Sequence, residues 1–202
     1  SKGRMKFILA SSSPRRRDLL VRLQAPFDII LPDVDESIIV SDGNPETYCT
    51  SLAELKANDV SQHYPDMLVV GADTIVVLDD LILGKPDDKV QAQEMLETLS
   101  GKTHHVYTGV CLKWAKNNIH HLFAEITMVT FRELEQADIS HYIEICPPYD
   151  KAGAYGIQDW SAVFVKGIKG CYDNVVGFPI SRFYQELKKL GINLLDTISE
   201  LS

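Results

Sequence analysis

Short apolar runs alternate with stretches of helical periodicity along this chain, and that alternation restricts its fold more than any other feature. The first run, Lys6 to Ala10, is followed by Ser-Ser-Ser-Pro at residues 11–14 and then by leucines at helical spacing. Ser13 suits a helix N-cap, and Pro14 suits the first helical position, where its missing N–H costs nothing. The chain therefore opens with the strand, loop and helix of an α/β protein.

The middle of the chain departs from a purely parallel α/β pattern. Runs at 75–78 and 81–83 flank Asp79-Asp80 like a hairpin, and two long strands, 106–115 and 119–131, are joined by Lys116-Asn117-Asn118, a typical turn sequence. The remaining predicted elements are strands over 27–31, 67–70 and 162–165, and helices from Asn44-Pro45, from Asp87 or Asp88 (with Val90, Met95, Leu96 and Leu99 on its apolar side), over 135–145 and over 179–190. We expect a mixed, twisted sheet with flanking helices and two lobes around one cleft.

Length and charge exclude several classes of protein. The chain has 202 residues, 45% of them apolar and 24% charged, which is typical of one globular domain or two small lobes. Its net charge of −8 is the wrong sign for binding long nucleic acid or an anionic membrane. Neither a GxGxxG nor a GxxxxGK[ST] motif occurs, which disfavours a dinucleotide-binding dehydrogenase and a P-loop ATPase.

No apolar stretch approaches the ~18 residues of a membrane-spanning helix, and the first apolar run is too short for a signal peptide, so we expect a cytoplasmic protein. Four cysteines without a CxxC pair are expected to be reduced thiols. The adjacent pairs His104-His105 and His120-His121 would point to opposite faces of a strand, which disfavours a zinc site. We assign a single domain to residues 5–192, a short arm or cloning remnant to residues 1–4 and a tail to residues 193–202.

The first helix carries an unusual cluster of cations. Arg15, Arg16 and Arg17 fall in its first turn, where the helix dipole disfavours positive charge, so an anion should compensate them. A triphosphate would suit, because the helix N-terminus offers backbone N–H groups and guanidinium groups bind phosphate oxygens in pairs. The alternative is that Ser13-Pro14 is only a capping device and that the arginines are solvated.

Acidic residues provide candidates for catalysis and metal binding. Asp73 lies where an apolar strand is predicted to end, so it could activate water or hold a metal; alternatively, it caps a turn beside Thr74. Asp35 and Glu36 offer oxygen ligands for a hard cation, although an acidic loop is more often simply solvated.

Two lysines and one loop complete the candidates. Lys56, beside the apolar stripe of its helix, and Lys85, in a Gly-Lys-Pro turn, could neutralise phosphate or could be ordinary surface charges. The loop over 150–158 has two glycines and two alanines, which would allow its backbone to approach a ligand closely. Gln158 offers a donor and an acceptor, as reading a base edge requires; the alternative is that it is a loop-stabilising amide.

Six motifs occur in a fixed order between Lys6 and Leu190. They are Ala10-Ser11-Ser12-Ser13-Pro14-Arg15-Arg16, Gly71-Ala72-Asp73-Thr74, Gly84-Lys85-Pro86, Ser100 to His104 with Tyr107-Thr108-Gly109, Asp150 to Gln158, and Asn174 to Pro179. Together they resemble the Maf-like nucleoside triphosphate pyrophosphatases. The resemblance implies a fold of the inosine-triphosphatase type, an elongated mixed sheet with a cleft between two lobes, often as a homodimer.

The resemblance also implies the reaction. A nucleoside triphosphate is hydrolysed to the monophosphate and pyrophosphate with a divalent cation, Mg²⁺ first and Mn²⁺ or Co²⁺ as alternatives, which clears modified or surplus nucleotides. By resemblance, the catalytic residues are Asp73, as proton acceptor, with Lys56 and Lys85; the substrate-binding residues are Ser13, Arg15, Arg16, Thr74 and Gln158; and the metal ligands are Glu36 and Asp73. Among these, Arg15, Thr74 and Gln158 match positions that set specificity, and Ser13, Arg16, Lys56 and Lys85 match positions that handle phosphate.

The motifs are similar to the branch of the family that acts on dTTP and UTP, whereas a sister branch acts on 7-methyl-GTP or CTP. The chain departs from the family pattern at Asp159-Trp160-Ser161, where a glycine-rich stretch is usual, and this affects the expected shape of the base pocket. Two other hypotheses stay open at this point: a nucleotide-binding regulator of cell division with little turnover, and an apolar interaction module with the motif residues scattered over its surface.

Overall fold

A computed structural model describes residues 6–195, so residues 1–4 of the predicted arm and residues 196–202 of the predicted tail lie outside the described residues. The strands are Phe7–Ala10 (β1), Phe27–Ile29 (β2), Val69–Leu78 (β3), Leu81–Leu83 (β4), Thr103–Trp114 (β5), Ile119–Phe131 (β6) and Val165–Lys169 (β7). The α-helices are Pro14–Val21 (α1), Pro45–Ser61 (α2), Lys89–Leu99 (α3), Gln136–Ile145 (α4), Tyr172–Val176 (α5) and Ile180–Lys189 (α6).

The strands form one mixed sheet in the order β2-β1-β3-β5-β6-β7, and β4 pairs with β3 beside this path. β1 is parallel to both neighbours, and its pairing with β3 ends at Ala10 opposite Gly71. β4 runs antiparallel to β3, and β7 runs antiparallel to β6. The mixed α/β sheet with flanking helices that the sequence predicts is confirmed.

Local sequence signals locate the helix starts and the long hairpin correctly. The Ser13 hydroxyl accepts a hydrogen bond from the Arg16 N–H at 3.3 Å and caps α1. Asn44 and Asp88 cap α2 and α3 in the same way. Asn118 adopts the left-handed conformation (φ 56°) that the turn between β5 and β6 needs. Each signal acts over a few residues, so it does not depend on tertiary packing.

The sequence predicted that Asp73 lies at the end of a strand, but in the structure it lies within one. β3 continues unbroken from Val69 to Leu78, so Gly71-Ala72-Asp73-Thr74 is strand and not turn. In the sequence, Gly71 and the polar pair Asp73-Thr74 suggest that the strand ends. The apolar residues on both sides nevertheless keep this segment in the sheet. Asp73 lies two residues beyond Gly71, where the pairing of β3 with β1 ends.

Two other local predictions are wrong. Residues 162–164 of the segment predicted as a strand at 162–165 belong to a 3₁₀-helix, Trp160–Phe164, which the Asp159 carboxylate caps by accepting from the Ser161 N–H at 2.8 Å. The strand β7 begins at the last residue of the predicted strand, Val165. Val90 is 61% exposed and lies outside the buried side of α3. The short helix α5 had no clear signal in the sequence.

The chain divides into two compact units. The first contains residues 6–73, 108–125 and 177–195, and the second contains residues 74–107 and 126–176. In the first unit, a buried cluster joins β1, α2, β3 and β5 through Ile8, Ala10, Ala53, Ala57, Val60, Val69 and Cys111. Among residues 6–195, no helix is both long enough and apolar enough to cross a bilayer.

The contact between α2 and β3 depends on the absence of a side chain at Gly71. A Cβ atom added there would collide with the carbonyl oxygen of Ala53 and would lie 2.8 Å from the Cβ atom of Ala57. Both neighbours belong to the helix, so relief would require moving helix backbone away from the strand. Gly71 therefore sets how closely α2 packs on β3.

The substitution Gly71→Ala is expected to lower the free energy of unfolding by about 3 kcal/mol, because overpacking a core contact of this kind costs that order of energy. Gly167→Ala is the matched control, since nothing lies within 4 Å of its added Cβ. Urea unfolding followed by circular dichroism measures both variants. Equal unfolding midpoints for the two variants would contradict the close approach.

Candidate active site

In the first unit, Lys56 forms the centre of a cluster of charges. Its Nζ atom lies 2.7 Å from Oδ1 of Asp73 and 3.4 Å from Oε1 of Glu36, and it donates to the carbonyl oxygen of Ala72 at 3.5 Å. The side chains of Lys56 and Asp73 are each 15% exposed, whereas that of Glu36 is 53% exposed. Two carboxylates therefore converge on one ammonium group that is largely shielded from water.

The close packing of α2 on β3 explains how Lys56 reaches Asp73. Residues two apart on a strand share a face, so Asp73 lies on the same face of β3 as Gly71. That face is covered by α2, whose backbone meets Gly71 at Ala53 and Ala57. Lys56 lies next to Ala57, and its side chain extends along the strand to the carboxylate.

The start of α1 is built around a buried arginine. Arg16 donates from Nε to the carbonyl oxygen of Gly177 at 2.9 Å and from Nη1 to the Ser11 hydroxyl at 2.8 Å. The Ser11 hydroxyl also accepts from the backbone N–H of Ser13 at 3.2 Å. Ser13 does cap the helix, but Arg16 is buried and not solvated. Arg17, by contrast, is exposed and pairs with Asp18.

Arg16 and Asp73 interact electrostatically. Burial lowers the pKa of Arg16 to about 10; the negative charge of Asp73 opposes this shift, and the positive charge of Arg15 adds to it. Arg16 is therefore still cationic at neutral pH. The anion expected near the arginines is in part Asp73, which balances cations on both α1 and α2.

Tyr48 belongs to the same environment, although it is not among the residues that the sequence predicts for the site. Burial raises its pKa, and the charges of Asp73 and Glu36 raise it further. Tyr48, Leu52 and Lys56 are spaced four residues apart, so they share one side of α2. That spacing is the signal that could have placed Tyr48 beside the site.

Two buried thiols lie in the same unit. Burial raises the pKa of Cys49 to about 12, and Asp73 contributes to the rise; burial also raises the pKa of Cys111 to about 12. Both cysteines are free, as are Cys146 and Cys171. Cys49 and Cys111 are therefore protonated and unreactive at neutral pH.

The second unit contains Thr74, Lys85 and Gln158. Thr74 is half-buried in β3, whereas the side chains of Lys85 and Gln158 are exposed and form no hydrogen bond or ion pair within residues 6–195. The Gly153 N–H donates to the Gly84 carbonyl at 3.0 Å, which ties the loop carrying Gln158 to the turn carrying Lys85. Within each unit, predicted residues are thus brought together: Glu36, Lys56 and Asp73 in the first, and the segments of Lys85 and Gln158 in the second.

The histidines and carboxylates of the described residues do not gather into a preformed metal site. Within residues 6–195, no group of three or more His, Cys, Asp or Glu side chains is placed to hold a metal ion. His120 contacts Glu54 and Lys113, whereas His121 contacts Glu186, so the adjacent histidines face different partners. Glu36 and Asp73, the two predicted metal ligands, both contact the Lys56 ammonium group.

Several known proteins that are similar to this chain along nearly its whole length share one name. A protein named dTTP/UTP pyrophosphatase from Ruminiclostridium cellulolyticum is 47% identical over 188 residues, which cover 93% of this chain and 97% of the relative. Proteins with the same name from Bacillus cereus strain Q1 (47% identity; 94% and 97% covered) and Carboxydothermus hydrogenoformans (44% identity; 93% and 100% covered) are similar along nearly their whole length.

The sequence model of the family described as Maf-like protein matches residues 6–190, which include every candidate site residue. The match and the relatives agree over nearly the whole chain and not over isolated motifs. The resemblance seen in the sequence is confirmed, and the chain belongs to the Maf-like protein family.

Proposed function

We propose that this protein is a nucleoside triphosphate pyrophosphatase that hydrolyses dTTP and UTP to the monophosphate and pyrophosphate, removing surplus or modified pyrimidine nucleotides. The observation that carries the proposal is the shielded Lys56–Asp73 pair, with Glu36 on the same ammonium group. The names of the relatives support the substrates and the reaction.

In the proposed mechanism, Asp73 acts on the water that attacks the α-phosphorus. The ion pair with Lys56 orients the carboxylate, which accepts the water proton or holds the water in line. Lys56 and Lys85 offset the charge that develops on the departing pyrophosphate. The start of α1, with Ser13, Arg15 and Arg16, receives phosphate, because a helix N-terminus and guanidinium groups both favour anions.

Glu36 and Asp73 would hold a divalent cation. The donor set fits, because Mg²⁺ in nucleotide enzymes is commonly bound by one or two carboxylates, with water and substrate phosphates as its other ligands. When bound, the cation would neutralise charge on the phosphates. We propose Mg²⁺ as the cation, with Mn²⁺ or Co²⁺ as substitutes.

Base recognition is assigned to Arg15, Thr74 and Gln158 on the basis of the family resemblance. The residues that depart from the family pattern, Asp159-Trp160-Ser161, make hydrogen bonds to the neighbouring loop. The Ser161 hydroxyl donates to the carbonyl oxygen of Gly156 at 2.7 Å, and Gly156 lies two residues before Gln158. The Asp159 carboxylate in turn accepts from the Tyr142 hydroxyl at 2.9 Å. These bonds support the loop that a glycine-rich segment would leave less constrained.

Two further assignments are carried over from the sequence analysis. We propose that the protein acts as a homodimer and that it resides in the cytoplasm.

A nucleotide panel tests the proposed substrate. With dTTP, UTP, CTP and 7-methyl-GTP compared at one Mg²⁺ concentration, pyrophosphate release is expected to be fastest with dTTP and UTP and to stop when the metal is removed with EDTA. Faster turnover of CTP or 7-methyl-GTP would assign the chain to the sister branch. Tight nucleotide binding without pyrophosphate release would instead favour the regulator.

The substitution Asp73→Asn is expected to lower kcat for dTTP about 10²- to 10⁴-fold, the range that general acid–base groups contribute. Asparagine keeps the size of the side chain, and Glu36 remains as a partner for the Lys56 ammonium group, so the variant should still fold. Asp66→Asn is the matched control, because Asp66 is exposed and lies near Lys116. Wild-type turnover in Asp73→Asn would rule out the proposed role of this carboxylate.

A further inference from the structure

His104 is a fully buried histidine with one strong polar contact. It lies near the start of β5, and its Nε2 atom is 2.6 Å from the Tyr155 hydroxyl. The ring packs edge-on against Phe131 and Tyr155, with centroid distances of 5.0 and 5.4 Å. Burial lowers the pKa of His104 to about 4, and the neighbouring His105 adds to this shift, so the imidazole is neutral at physiological pH.

The other ring nitrogen of His104 is costly to bury. Within residues 6–195, its Nδ1 atom has no hydrogen-bond partner. A buried polar atom without a partner destabilises the folded state, and an apolar side chain of similar size would avoid that cost. Stability alone therefore does not account for an imidazole at this position, and the bond to Tyr155 is the feature that an apolar residue would lose.

Tyr155 lies in a loop whose backbone is under strain. Gly153 and Ala154, the two residues before it, both have left-handed dihedrals, with φ values of 70° and 65°. Alanine is disfavoured in that region, so the surrounding contacts must hold it there. Tyr155 is itself buried and directly follows Ala154, which makes its contact with His104 one of the anchors.

The same loop is held by two other hydrogen bonds, one on either side of Tyr155. The Gly153 N–H donates to the Gly84 carbonyl at 3.0 Å, and the Gly156 N–H donates to the Tyr142 hydroxyl at 3.2 Å. Ile157 is buried and Gln158 is exposed. The anchored backbone therefore extends to the residue just before Gln158.

We propose that His104 is a positioning residue: by holding the Tyr155 hydroxyl, it fixes the loop over 150–158 and hence the placement of Gln158 for reading the base. This inference rests on the proposed function for the role of Gln158. Through the Gly153–Gly84 hydrogen bond, the same anchor also constrains the turn that carries Lys85. His104 touches neither substrate nor metal in this account and acts through Tyr155.

Three single variants test the proposal. His104→Met removes the hydrogen bond to Tyr155 while keeping a side chain of similar volume, and Tyr155→Phe removes the same hydrogen bond by deleting the hydroxyl. His104→Gln is the matched control, because its amide keeps a polar atom near the position of Nε2. For the first two variants, KM for dTTP is expected to rise about tenfold, and the preference for dTTP over CTP is expected to fall about tenfold. A change of this size corresponds to the loss of one hydrogen bond. His104→Gln should stay within about threefold of wild type, and kcat should change less than KM in all three variants.

A second measurement separates this proposal from the proposed function. In the absence of nucleotide, amide hydrogen exchange at residues 153–157 is expected to be faster in His104→Met than in wild type, while exchange in β1 is unchanged. If the wild-type protein hydrolyses no nucleotide, the proposed function fails, and the exchange rates alone decide whether His104 holds the loop. A His104→Met variant with a lower unfolding temperature but wild-type KM, selectivity and loop exchange would show that His104 serves packing only.

Discussion

The ion pair between Lys56 and Asp73 is the interaction on which the candidate site depends. Both side chains are largely shielded from water, so each charge would be costly without the other. The pair exists because α2 packs its backbone onto β3 at Gly71, which places a helix lysine beside a strand aspartate. A packing detail, the missing side chain of one glycine, thus determines the electrostatics of the site.

The surroundings of this pair are consistent with the proposed binding of phosphate. Parallel strands bring their carboxyl ends to one edge of a sheet, and ligands of α/β proteins bind at such edges. β1 ends at Ala10 and leads through Ser11 and Ser13 into α1, and its pairing with β3 ends two residues before Asp73. Asp73 consequently acts on the charge of Arg16 as well as on Lys56. Two cations, Arg16 and Lys56, thus interact with Asp73, and such a gathering of cations suits the proposed binding of phosphate.

Sequence reasoning located features that act over short distances. The caps at Ser13, Asn44 and Asp88 and the turn at Asn118 follow from the chemistry of a few adjacent residues, and the structure has all of them. Sequence reasoning failed where contacts between distant parts of the chain determine the local structure. The glycine in Gly71-Ala72-Asp73-Thr74 reads as a turn, but its role is to let a helix 14 to 18 residues earlier in the chain approach the strand.

The candidate residues were visible in the sequence, whereas their pairing was not. Each of Glu36, Lys56 and Asp73 could be singled out, but only the folded chain shows both carboxylates on one ammonium group. Tyr48 and His104 were overlooked as site residues because an aromatic residue in an apolar stripe and a histidine in a strand are ordinary core residues in a sequence. Their partners, Asp73 and Tyr155, are 25 and 51 residues away.

A double-mutant cycle tests most directly whether Lys56 and Asp73 act as one unit. The kcat/KM for dTTP would be measured for wild type, Lys56→Met, Asp73→Asn and the double variant. Because the lysine is proposed to orient the carboxylate as well as to offset charge on the pyrophosphate, the loss in the double variant should be clearly smaller than the product of the two single losses. Losses that multiply in the double variant would show that the two side chains act independently, contrary to this account.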